Sequence, residues 1–181
     1  MVIGLVVACA LGACATDPAD PADPPTTTPV TTAAPSPTQT PTPTPTPDAA
    51  TPPERPDMST VDAETAEAVA VYFLELYPYI FATGDIAEWD ALSHPDCIYC
   101  AVVGAGVERL AAAGDLTGGG VVDVITVTSS ETTPGSWWLV EIEMRQATSS
   151  DSAGVIYDTA VIVVRDNERW LIRGVEPRRR E

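Results

Sequence analysis

The chain has 181 residues, a formal net charge of −17 and 18 prolines, and its length allows one domain of ordinary size. There is no lysine, and three of the nine basic residues, Arg178, Arg179 and Arg180, fall in the last four positions. Nonspecific nucleic-acid binding needs a dense Lys/Arg surface and is excluded as a leading idea.

Residues 1–14 hold twelve apolar residues, two glycines and no charge. The apolar run Ile3 to Ala13 is too short to span a bilayer, which takes about 20 residues, and has the length of a signal-peptide core. It ends in Leu11-Gly12-Ala13-Cys14, a pattern that resembles the bacterial lipobox. That resemblance implies a thioether lipid on Cys14 and cleavage before it. The basic segment that opens a signal peptide is missing, so the expected start lies further upstream. Cys9 leaves too little apolar run before it to be the better anchor. The alternative is a short buried N-terminal segment.

Residues 15–58 contain fourteen prolines and twelve threonines, with strict Thr-Pro alternation from Thr40 to Pro47. Proline fixes φ and removes backbone donors, so neither helix nor sheet is expected. A polyproline II spacer rises about 3.1 Å per residue, giving this segment a reach on the order of 100 Å. It would hold a domain away from a membrane and through a cell-wall layer. Thr/Pro runs are also O-glycosylation acceptors.

Residues 59–181 carry 20 acidic residues and eight arginines, hence −12. Asp62, Glu64 and Glu67 suit a helix N-terminus. Val69, Phe73, Leu76 and Ile80 recur at helical spacing. Pro78 is expected to kink or split that helix near Leu76–Tyr77, and Gly84 to end it. A short helix over Ile86–Leu92 buries Trp89, and a third runs from about Cys97 to Ala113, closed by Gly114. After Gly118-Gly119-Gly120 the period becomes two. Val122, Val124 and Thr126 alternate with Asp123, Ile125 and Val127. Trp138, Val140, Ile142 and Met144 alternate with Leu139, Glu141, Glu143 and Arg145. Ile156–Val164 is nearly all apolar, as for a central strand covered on much of both faces, and Arg169–Val175 is the last strand. Turn signals stand at Pro134-Gly135, Ser152-Ala153-Gly154 and Asp166-Asn167. Helices followed by long antiparallel strands predict an α+β fold. The economical packing is N-terminal helices held in a curved four-stranded sheet, the cone-like roll of the nuclear-transport-factor-2-like superfold.

Tyr79 through Cys100 reads YIFATGDIAEWDALSHPDCIYC. The Ala82-Thr83-Gly84-Asp85 turn and the run from Ser93 through Cys97 to Cys100 resemble an actinobacterial lipoprotein family, domain of unknown function 6318, over roughly residues 55 to 175. Ala113-Gly114-Asp115, Gly119-Gly120 and Gln146 also fit. The resemblance implies a location and a fold class, and lends no activity.

Cys97 and Cys100 at a helix start could form a redox pair, because that position stabilises a thiolate. Thioredoxin-like proteins place the motif after a strand, whereas a helix and Pro95 precede it here. A structural disulfide outside the cytosol is the plainer expectation. His94 with the two cysteines supplies three ligands, an incomplete zinc set, and no metal or cofactor is expected. Asp158 and Asp123 are candidate cavity carboxylates: a buried acid has a raised pKa and can act as a general base. The alternative for both is a solvated or arginine-paired carboxylate. Trp138 is core or cavity lining.

Together these readings predict a lipoprotein on the outer face of the cell membrane. Its partners would be the membrane, through the lipid, and a cell-wall or protein partner, with no nucleic acid. Its domain would be non-catalytic and bind a ligand or partner. The alternative is a cofactor-free isomerase- or dehydratase-like enzyme using an acid in the cone.

Overall fold

The computed structural model describes residues 50–148 and 150–181. The apolar leader, Cys14 and most of the Pro/Thr segment lie outside the described residues.

The first helix, α1, spans Ala63–Thr83. Asp62 caps it, its Oδ1 accepting from the Thr65 N–H at 2.8 Å. That backbone donor holds the Asp62 carboxyl below its usual value. Gly84, at φ 76°, closes the helix. Pro78 neither splits nor ends it: α1 is one continuous helix. The reason is packing on both sides of the proline. Leu76 and Ile80 are fully buried, and Tyr77 lies against Phe81 with ring centroids 4.6 Å apart. Burying such side chains contributes roughly 1.5–3 kcal/mol each, which outweighs an interior proline's cost of about 3 kcal/mol. Helix α2 spans Ala87–Leu92 and buries Trp89 and Leu92, as the sequence predicts. Helix α3 spans Ile98–Ala113 and ends on Gly114.

Four strands follow: β1 Val121–Thr133, β2 Trp137–Thr148, β3 Asp151–Asp166 and β4 Arg169–Arg179. They form one antiparallel sheet in the order β1-β2-β3-β4. The architecture is α+β, with the helices and one face of the sheet sharing the core. Trp138, Val140, Ile142 and Met144 face inward from β2 and are buried, in the phase the sequence predicts.

Three local expectations fail. The first is the alternation of β1. A register shift between Val124 and Thr126 pushes Ile125 outward, half-exposed, and brings Val127 onto the inner side with Val122 and Val124. A bulge changes phase, and period-two reading cannot follow it. The second is the hairpin at Ser152-Ala153-Gly154. Thr148 already pairs with Asp151, so those three residues lie inside β3. The third is the covering of β3 on both faces. The strand is central, as expected, and Thr159, Val161 and Val163 are buried. On the other face Val164 is buried and Ile156 and Ala160 are half-buried, but Asp158 and Ile162 are exposed, so that face is covered only in part.

Two aromatic pairs fill the core. Phe73 stacks on Trp89 at 4.0 Å, and Trp138 meets Trp170 at 4.8 Å. The end of the Pro/Thr segment is tied to the same body. Arg55 pairs with Glu88, and the Met58 carbonyl accepts from Trp170 Nε1 at 3.1 Å. Among the described residues no helix is long and apolar enough to cross a membrane.

Candidate functional site

A cavity of about 240 Å³ lies where α1, α3 and the inner side of the sheet meet. Leu74 and Tyr77, three residues apart on α1, form one wall, and Tyr99 of α3 forms another. Met144 and Gln146 reach it by inward alternation on β2. Met144 pairs with Tyr157 across to β3, and Gln146 pairs with Val122 across to β1. Pro177 of β4 completes the lining. Trp89 supports two of the tyrosines from behind, with ring centroids 6.5 Å from Tyr77 and 6.4 Å from Tyr99. Its own ring is fixed by the Nε1–H donating to the Cys100 carbonyl at 3.1 Å.

Burial governs the electrostatics. It pushes the Tyr99 hydroxyl up to about 12, with smaller contributions from the neighbouring phenols of Tyr77 and Tyr157. The Tyr77 hydroxyl is raised by burial and then by Tyr157. Tyr77 and Tyr99 are therefore neutral at physiological pH, and no Asp, Glu, His or Arg among the described residues lines the cavity. Thr159 sits two residues along β3 from Tyr157 on the same inward face, paired across the sheet with Ile142 and Pro177. It is only 2% exposed, and its Oγ1 has no hydrogen-bond partner among the described residues. The arrangement offers neutral hydroxyl and amide groups over an apolar floor.

The sequence-predicted carboxylates are elsewhere. Asp158 does not line this cavity: it is exposed in an open hollow of about 500 Å³ on the outer face of the sheet, where Arg180 binds it and also Glu143 at 2.7 Å. The near-uniform apolarity of Ile156–Val164 hid which face turns inward. Asp123, also on the outer side, pairs with Arg145. Trp138 is 1% exposed and belongs to the core with Trp170 rather than to the cavity lining.

Cys97 and Cys100 form a disulfide, and each residue is 1% exposed. Cys97 is the N-cap of α3, its Sγ accepting from the Cys100 N–H at 3.2 Å. The disulfide thus fixes the start of the helix that carries Tyr99. Both sulfurs are bonded to each other, so neither is a thiolate ligand for a metal beside His94. His94 Nδ1 instead accepts from the Asp96 N–H at 3.0 Å, next to the Arg173 guanidinium. Arg173 in turn holds the Asp96 carboxyl below its usual value.

The cavity residues Tyr77, Tyr99, Tyr157 and Gln146 were not singled out as a site by sequence reasoning. One signal was present: Tyr99 stands between the two cysteines at the start of α3. The convergence of the cavity residues depends on the strand register, which no local pattern supplies.

No curated protein matches the chain. The family of unknown function DUF6318 matches residues 38–169, a span that takes in all three helices and strands β1 to β3. That match covers well over half of the sequence, and the chain belongs to this family.

Proposed function

We propose that the protein is a lipoprotein displayed on the outer face of a cell membrane. In this reading the domain is a non-catalytic binding module of the nuclear-transport-factor-2-like type, whose tyrosine-lined cavity holds a small uncharged ligand. The anchor is Cys14 and the spacer is the Pro/Thr segment. The observation that carries the binding reading is the cavity itself. It joins an apolar floor, three phenols and a carboxamide, with no carboxylate or imidazole among the described residues in its wall. Pockets of mixed apolar surface and a few placed polar groups suit small ligands. A charged ligand would have to be desolvated there without a counter-ion, at a high cost. An acid–base enzyme draws no support from this wall, because Asp158 and Asp123 stand on the other side of the sheet.

The test is ligand-observed NMR on the full chain, with small uncharged amides and alcohols run beside their carboxylate analogues. The uncharged set is expected to bind and the carboxylates not. Tyr157→Trp, whose larger side chain fills part of the cavity, is expected to abolish binding. Equal binding of both sets, or binding that survives Tyr157→Trp, refutes the ligand reading. The anchor is tested separately by the intact mass of the membrane-fraction protein. An acylated Cys14 at the N-terminus is expected, and an unmodified Cys14 refutes it.

A further inference from the structure

Helix α3 has two seams. Cys100, Gly104 and Val107 turn inward and are buried. On its other side Ile98, Val102, Ala105, Arg109 and Ala112 are all exposed, Ile98 to 80% and Val102 to 66%. Their spacing alternates four and three, which is the spacing of a coiled-coil seam. A soluble helix ordinarily gives such a stripe to the core and sets charges opposite it. Here only Arg109 carries charge in the outward stripe, in a domain that is otherwise strongly acidic.

We infer that two copies of this chain associate through this face, with the two α3 helices antiparallel about a two-fold axis between Val102 and Ala105. The stripe is complementary to itself in that register. Val102 of one copy meets Ala105 of the other, Ala101 meets Gly106, and Ile98 meets Arg109. A large side chain opposes a small one at the centre, which lets the helices approach closely, at interaxial distances of about 8–10 Å. Charge complementarity selects the same arrangement. Arg109 makes no ion pair among the described residues, and past Ile98 of the second copy lies Asp96. That carboxylate is 62% exposed and meets Arg173 and His94 only through Oδ2, leaving its other oxygen for a second guanidinium. Each contact occurs twice, as a two-fold interface requires. One helix face per copy is small, so the dimer belongs to the weak class of interfaces.

Sedimentation equilibrium of the full chain tests the inference. The 19.0 kDa chain is expected to approach twice that mass as its concentration rises to about 1 mM, the range in which small interfaces form. Val102→Glu is expected to weaken association by about tenfold or more, because it buries a carboxylate in an apolar seam. The side chain it replaces is exposed, and circular dichroism checks that the fold is kept. Arg109→Glu and Asp96→Arg are each expected to abolish association alone, and an equal mixture of the two variants to restore it, since only the mixed dimer pairs opposite charges at both ends. A wild-type chain that stays monomeric, a dimer indifferent to Val102→Glu, or a mixture that fails to associate would each overturn the inference. None of these readouts depends on the cavity holding a ligand.

Discussion

Single residues set how closely the elements of this fold approach one another. Gly119 shows it best. A Cβ built there would fall on the carbonyl group and Cα of Pro78 in α1, so the loop before β1 lies directly against the helix at its proline. Gly119→Ala is therefore expected to behave as an overpacked core substitution and to cost about 1–3 kcal/mol. The measurement is the urea midpoint of the full chain, which should fall at unchanged slope. An unchanged midpoint would mean that the loop is free to move away from α1. In the sequence, Gly118-Gly119-Gly120 is legible as the break between helices and strands. The contact with Pro78 is not legible, because it joins positions about forty residues apart. Pro78 misled for a related reason. Its local cost is real, yet Leu76 and Ile80 on either side are fully buried, and tertiary packing overrides the propensity of one residue.

At the level of elements, existence and order were legible while phase and extent were not. Trp89 and Leu92, the glycine caps of α1 and α3, and the inward set of β2 all follow from spacing and from backbone chemistry. Asp158 shows where spacing stops. In β3 both faces are apolar over Ile156–Val164, so alternation cannot say whether Asp158 or Thr159 turns inward. The register does: Thr159 pairs with Ile142, a buried residue, whereas Asp158 pairs with Glu143 on the solvated face. Two carboxylates directly opposite each other repel, and Arg180 bridges them from the C-terminal end. The Asp158 carboxylate, and then that of Glu143, raises the Arg180 guanidinium above its ordinary value. The strands also run longer than their hydrophobic patterns. β4 continues through Glu176 to Arg179, because ladder hydrogen bonds persist where side chains no longer need burial. For the candidate site this means that Met144 and Gln146 were legible as inward by alternation. Tyr157 was not, since its phase is that of Thr159.

Across the whole molecule the core and the cavity are one packed unit, and Trp89 joins them. It is fully buried, stacks on Phe73 of α1, donates to the Cys100 carbonyl of α3, and touches the rings of Tyr77 and Tyr99. Trp89→Phe keeps an aromatic ring against Phe73 but removes the indole bond to a carbonyl that otherwise sits in the helical ladder of α3, at a cost of about 0.5–1.5 kcal/mol. The same change loosens the packing that desolvates Tyr99. Because Tyr99 has its folded pKa raised to about 12 from an unfolded value near 10, its contribution to stability is complete below about pH 10. It is lost as the pH rises toward 12, where the unfolded chain has already released the proton. Trp89→Phe is thus expected to lower the urea midpoint and also to move the last tyrosine ionisation, read by ultraviolet absorbance, from near 12 toward 10. Trp138→Phe is the matched control. Trp138 is just as buried and packs on Trp170, but it stands six residues along β2 from Met144, roughly 20 Å away. It should lower the midpoint and leave the Tyr99 ionisation where it was. If both variants shift that ionisation equally, the cavity responds to global loosening alone, and Trp89 has no special hold on it.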